Sequence, residues 1–239
     1  MCGIWLLLAK GKVDLYDIKY KDAFNRIKGR GPDKSSYDIN TNFIIGFHRL
    51  AIMDKSERGD QPFKYIDENR KVYIVCNGEI YNFRHLIDKY KLTSVSGSDC
   101  EVIMHLYMKN IDFVNELEGE FAFIIIDIVD SKYKVTLGND RFGIRPMFVY
   151  EDSDTICVSS ELKGIYMNGD YKVDRFPPRH IAEIKDNKIE YKQYYSIDDI
   201  KVRIYDIEEA KKSIKECFEK TILKMVESDC YLPKILIIK

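Results

Sequence analysis

The chain has 239 residues, 32% charged and 45% hydrophobic, which fits a globular protein and argues against intrinsic disorder. Its formal net charge of −1 gives no electrostatic footprint for a nucleic acid or a membrane surface. Six dispersed cysteines without a CxxC pair argue against a disulfide framework and a zinc site, and place the chain in a reducing, cytoplasmic setting.

The first element opens Met1-Cys2-Gly3-Ile4-Trp5. Once Met1 is removed, Cys2 carries both a thiol, with an ordinary pKa of about 8.5, and an α-amino group, with one of about 8. The amine can then take the thiol proton, so nucleophile and base sit on one residue. The apolar run Ile4 to Ala9 is too short for a signal peptide or a membrane span. It reads as a buried strand with Cys2 at its end.

Asp17 to Lys28 has helical apolar spacing, and Gly29-Arg30-Gly31-Pro32-Asp33 ends it in a rigid turn. Phe43 to Ile52 reads as a strand that Arg49 interrupts, followed by a polar loop, Asp54 to Gln61. Val72 to Cys76 reads as a short buried strand delivered into a turn at Asn77-Gly78-Glu79. Phe83 to Tyr90 and Cys100 to Lys109 read as helices, the second preceded by the capping loop Ser96-Gly97-Ser98-Asp99.

Phe121 to Asp127 and Tyr133 to Asn139 pair across Asp130-Ser131, and a charged turn spans Asp140 to Pro146. Phe148 to Tyr150 and Thr155 to Ser159 form a further hairpin, and Glu161 to Met167 a brief helix. His180 to Ile184 and Ile189 to Tyr195 close the series around Asp186-Asn187. Hairpins in this order favour antiparallel sheets covered by helices, an α+β architecture. Neither G-x-G-x-x-G nor G-x-x-x-x-G-K-[ST] occurs.

After Arg203 the character changes. Ile207 to Val226 reads as one long helix with an apolar stripe through Ala210, Ile214, Cys217, Phe218, Ile222 and Met225. Ile235-Leu236-Ile237-Ile238 reads as a buried parallel strand. The expected division is one domain over residues 2–203 and the beginning of a second, incomplete one over 204–239.

Several stretches together resemble the class II glutamine amidotransferases, and within them the glutaminase half of asparagine synthetase. They are Met1-Cys2-Gly3-Ile4, Arg30-Gly31-Pro32-Asp33, His48-Arg49-Leu50-Ala51-Ile52, Gln61-Pro62-Phe63 and Asn77-Gly78-Glu79-Ile80-Tyr81-Asn82. In the same order follow Gly97-Ser98-Asp99-Cys100-Glu101-Val102-Ile103, Gly119-Glu120-Phe121-Ala122-Phe123 and Asp140-Arg141-Phe142-Gly143-Ile144-Arg145-Pro146. Ser159-Ser160-Glu161-Leu162-Lys163 and Phe176-Pro177-Pro178 complete the series. The resemblance implies an N-terminal nucleophile hydrolase fold, an αββα four-layer sandwich with two stacked antiparallel sheets. It also implies hydrolysis of the glutamine side-chain amide, and makes residues 204–239 the truncated start of an α/β synthetase domain.

On this reading Cys2 attacks the amide carbon, while the Asn77 side chain and the Gly78 N–H hold the oxyanion; taken alone, Asn77-Gly78 is a plain hairpin turn. Arg49 pairs with the substrate α-carboxylate through a bidentate fork, although an Arg on an alternating strand also reads as surface-facing. Asp99 takes the α-ammonium, its alternative being a simple helix N-cap, and Glu79 shares the ammonium or orders the turn. By resemblance the backbone of Leu50, Ala51, Ile52 and Met53 lines the pocket, Met53 standing where the family often has Ile or Val. His48, His85, His105 and His180 read as structural, and Asp140, Arg141 and Arg145 as a structural ion network. Arg179 departs from the glycine common after Phe-Pro-Pro.

The glutaminase half needs no cofactor or metal; ATP and Mg²⁺ belong to the synthetase domain. Expected partners are L-glutamine and a synthetase domain or subunit that receives ammonia, with a homodimer as a further possibility and no nucleic acid or membrane. The alternative function is a catalytically silent remnant, or a regulatory module that binds glutamine or a partner.

Overall fold

A computed structural model describes residues 1–166, 172–198 and 206–225. In chain order the strands are β1 (Gly3–Ala9), β2 (Lys34–Ile39), β3 (Phe43–Arg49), β4 (Phe63–Ile66), β5 (Arg70–Ile80), β6 (Gly119–Val129), β7 (Lys132–Asn139), β8 (Phe148–Glu151), β9 (Thr155–Ser159), β10 (Val173–Arg175), β11 (His180–Lys185) and β12 (Lys188–Gln193). The helices are α1 (Ile18–Asn25), α2 (Phe83–Tyr90), α3 (Val102–Met108) and α4 (Ile207–Met225). The strands form two six-stranded sheets, ordered β10-β8-β9-β1-β3-β2 and β12-β11-β7-β6-β5-β4. Neighbouring strands pair antiparallel throughout, as the hairpin-rich sequence predicts.

Alternation along each strand builds the layers. On β1, Ile4, Leu6 and Leu8 face the core between the sheets, with Tyr73 and Val75 of β5 and Ala122, Ile124 and Ile126 of β6 opposite. Trp5, Leu7 and Ala9 point the other way, onto Tyr20, Ala23 and Phe24 of α1. Val72, Ile74 and Cys76 of β5 face α2 and α3 through Phe83, Leu86, Val102, Ile103 and Leu106. The result is helix, sheet, sheet, helix. Asp17 starts α1 by accepting the Lys19 N–H at 3.0 Å.

Three expectations need correction. The turn at Asn77-Gly78-Glu79 is not a turn: β5 runs through it to Ile80, because β6 supplies a partner along its whole length, down to Ile80↔Gly119. The strand over Phe43 to Ile52 stops at Arg49, whose guanidinium turns aside to hold the loop that follows. The brief helix over Glu161 to Met167 is, in its described residues, a single 3₁₀ turn, Leu162–Gly164. Three short strands, β2, β4 and β10, are additional to that reading; β2 is a half-polar edge beside β3.

Among the described residues no helix is long and apolar enough to cross a membrane. The predicted strand at 235–238, and with it most of the second-domain expectation, lies outside the described residues. The predicted helix before it is present as α4, with no buried residue.

Candidate active site

The register Gly3↔His48 puts Cys2 just beyond the end of β1, beside the point where the chain leaves β3. Its backbone is held from two sides. Arg30 Nε donates to the Cys2 carbonyl at 2.7 Å, and Arg30 Nη1 pairs with Glu161 at 3.1 Å. One residue on, the Ile4 N–H donates to Ser160 Oγ at 3.0 Å. The Cys2 Sγ accepts the Leu50 N–H at 3.4 Å and lies 3.5 Å from the Leu50 carbonyl. Burial pushes the thiol pKa up, partly offset by that N–H, so at neutral pH the sulfur keeps its proton. Met1 lines the same cavity, and burial lowers the pKa of its amine.

The opposite wall is the free edge of β5. Pairing with β4 ends at Phe63↔Ile74, so beyond Ile74 that edge is open. The Tyr81 N–H reaches the Glu118 carbonyl, which sets the phase of the ladder. Residues 79 and 77 therefore direct their N–H groups at β6, while 76, 78 and 80 direct theirs at the open edge. The Cys76 N–H is taken by Gln61 Oε1 at 2.6 Å, and the Ile80 N–H by Asp99 Oδ2 at 2.6 Å. Between them the Gly78 N–H faces the cavity. Phe121, opposite Gly78, bonds its own N–H and C=O to Asp140 instead.

Glycine is required at 78, because a Cβ would collide with the Glu120 carbonyl and the Phe121 Cα. Asn77 is 1% exposed and lines the same cavity, and its Nδ2 has no hydrogen-bond partner. A buried amide donor without an acceptor costs free energy unless a ligand supplies one.

The charged residues divide the rest of the cavity. Asp99 is buried, and burial raises its pKa to about 6, with the Ile80 N–H opposing the shift and Glu79 reinforcing it. Glu79 is also raised, first by burial, with Arg145 opposing. Arg49 is 6% exposed, and its terminal nitrogens donate to the Ser56 carbonyl at 2.9 Å, the Met53 carbonyl at 3.3 Å, the Asp54 carbonyl and Asp60 Oδ1 at 2.6 Å. The fork thus shapes the 53–60 loop while lining the cavity.

Leu50, Ile52 and Met53 also line the cavity, as do Cys2, Asn77, Gly78, Glu79 and Asp99. Ala51 does not; its N–H donates to Asp33 at 2.8 Å, which ties the loop to the Arg30-Gly31-Pro32-Asp33 turn. Arg30, Glu161 and Gln61 are positioning groups that sequence reasoning left without roles. The quoted motifs contain all three, and only the tertiary contacts assign them. Arg145 lines the cavity too.

His48 stacks on Phe24 at 3.8 Å, with its ring nitrogens on Ser35 Oγ and the Phe24 carbonyl. His105 pairs with Glu101, and His180 with the Pro178 carbonyl. Among the described residues Asp140 makes no ion pair: its carboxylate accepts the N–H groups of Phe121, Phe142, Ile144 and Arg145 and so folds the 140–145 turn. Arg179 adopts φ +64°, a conformation that favours glycine. Among the described residues no group of three or more His, Cys, Asp or Glu is placed to hold a metal ion.

The sequence model of the glutamine amidotransferase domain matches residues 1–202. An asparagine synthetase [glutamine-hydrolyzing] of Arabidopsis thaliana is 30% identical over 96% of this chain and 38% of its own length. The corresponding protein of Mus musculus is 31% identical over 96% of this chain and 45% of its own length. The chain thus spans less than half the length of either of these relatives. In fold, glutamine phosphoribosylpyrophosphate amidotransferase from B. subtilis superposes with a TM-score of 0.66 at 18% identity, covering 82% of this chain and 50% of that one.

Proposed function

Because the chain belongs to the class II glutamine amidotransferases, we propose that, freed of Met1, it hydrolyses the side-chain amide of L-glutamine to glutamate and ammonia with Cys2 as nucleophile. The observation that carries this reading is the pair of free donors, Asn77 Nδ2 and the Gly78 N–H, in one cavity with the Cys2 thiol. The Cys2 amine takes the Sγ proton as sulfur attacks the amide carbon. The carbonyl π electrons move to oxygen, and the two donors hold the resulting oxyanion. The tetrahedral intermediate expels ammonia, which leaves with the proton the amine had stored. Water then attacks the thioester and releases glutamate, returning the thiol.

Asp99 and Glu79 hold the α-ammonium, and Arg49 the α-carboxylate. The last role asks Arg49 to share its fork between the loop and the substrate. Residues 2–203 form the glutaminase domain. The names of the relatives suggest that the ammonia goes to asparagine synthesis on a synthetase domain or subunit, where ATP and Mg²⁺ would act. The test is glutamate release from glutamine by the Met1-free protein and by Cys2→Ala. Turnover lost in Cys2→Ala at unchanged melting temperature is expected. A folded wild type that binds glutamine without hydrolysing it would favour a silent glutamine-binding module.

A further inference from the structure

Glu79 and Glu120 sit directly opposite each other across the β5–β6 ladder, in largely buried surroundings. Facing carboxylates repel, and the repulsion grows as water is excluded. One guanidinium reaches both. Arg145 Nη2 is 3.1 Å from Glu120 and 3.8 Å from Glu79, its side chain is nearly buried, and its Nε is buried without a partner. The Asp140 carboxylate accepts the Arg145 N–H at 3.2 Å and also the N–H of Phe121, the neighbour of Glu120, so turn and ladder are fixed to each other.

Resting on the glutaminase reading, we propose that Arg145 is a positioning residue for the α-ammonium end of glutamine: by bridging Glu120 and Glu79 it keeps the Glu79 carboxylate charged and directed into the cavity. Arg145 touches no reacting atom in this account and acts through Glu79. The other charged or titratable groups around Glu79 are Asp99, Tyr81, the chain-terminal amine and Lys224 of α4. Tyr81 lies within reach of the Glu120 and Glu79 charges, and Lys224 pairs with Glu118 at 2.5 Å. Neither replaces a guanidinium between the two glutamates. Without it Glu79 gains a proton or turns away from Glu120, and either change removes an anion from the ammonium subsite.

The consequence is selective. A substrate without an α-ammonium, such as 4-carbamoylbutanoate, presents the same amide and carboxylate but nothing for Glu79 to hold. The experiment measures ammonia release from L-glutamine and from 4-carbamoylbutanoate by the full, Met1-free chain and its Arg145→Gln and Arg145→Lys variants. Arg145→Gln should raise the glutamine KM by about tenfold, the effect of about 1.4 kcal/mol. It should leave the glutamine kcat near wild type and kcat/KM for 4-carbamoylbutanoate almost unchanged. Arg145→Lys should recover part of the KM.

Adding Glu120→Gln to Arg145→Gln removes the facing charge and should restore part of the preference for glutamine, which also answers for a poorly folded single variant. An unchanged glutamine KM, or equal losses on both substrates, overturns the proposal. If the wild type releases no ammonia from glutamine, the glutaminase reading fails. Calorimetric binding of glutamine to wild type and Arg145→Gln then decides the role of Arg145, and wild type that binds none overturns both.

Discussion

A buried thiol that keeps its proton is a poor nucleophile until a base stands beside it. Cys2 is such a thiol, and among the described residues its sulfur is hydrogen-bonded to the backbone of Leu50 and not to a histidine. The account therefore requires the amine that removal of Met1 would expose, and retained Met1 should abolish turnover. Asn77→Ala should lower kcat by about 100-fold or more with a smaller change in KM, because the donor acts mainly on the oxyanion. Single-turnover kinetics would separate the two effects. The pH dependence follows from Asp99. Its pKa is raised to about 6, so the free enzyme loses this carboxylate's charge as pH falls through about 6. The α-ammonium needs the charged form, so kcat/KM for glutamine should fall on the acid side of that value and hold above it. Asp99→Asn should remove this limb and raise KM. Arg49→Ala should raise the glutamine KM and also lower the melting temperature, since the same guanidinium holds Asp60 and the 53–60 loop. That Cys2, Asn77 and Asp99 share one cavity was legible in the sequence through motif order. The engagement of Arg49 by its own loop was not, because carbonyl groups that converge from 53 to 56 leave no trace in residue type.

The strand β5 does most to build the site. Sequence reasoning ended it at Cys76, because Asn-Gly is a strong turn signal. The partner that overrides the signal, β6, lies some forty residues on, and no local pattern announces it. The glycine was recognised as an oxyanion donor, with a turn as the alternative; the ladder adds a further reason for it, room for the Glu120 carbonyl. Gly78→Ala should therefore disturb the ladder itself, lowering both melting temperature and turnover; a stable, fully active variant would contradict the close approach. Arg179 illustrates the opposite case, a departure from family pattern that the backbone tolerates at a cost. A left-handed conformation costs an ordinary residue about 1 kcal/mol or more. Arg179→Gly should raise the melting temperature. A fall would mean that its contact with the Arg141 carbonyl, at 3.3 Å, outweighs the strain.

At the scale of the whole molecule, the antiparallel, hairpin-rich character was legible in the sequence, whereas the stacking into four layers came from the family resemblance alone. A strand such as β1, buried on both faces, reads as unbroken apolar residues. Short edge strands such as β4 and β10 leave too little pattern to be read. The helix α4 was legible from its period, and of its stripe Ile214, Cys217 and Phe218 are exposed. Its ion pair with the part that matches the family, Lys224 to Glu118, joins two half-exposed groups, and such a pair contributes about 1 kcal/mol at most. A chain ending at Asp198 should accordingly keep its glutaminase activity and associate less on size-exclusion chromatography. If it unfolded, or lost turnover, the domain boundary proposed at residue 203 would be wrong.

The most direct test of the central claim is mass spectrometry of Met1-free protein quenched with acid during glutamine turnover. The account predicts a glutamyl group on the peptide that begins with Cys2, bound as an alkali-labile thioester and absent when Met1 is retained. Steady turnover with no adduct on Cys2, or an adduct of equal abundance with Met1 in place, would contradict it.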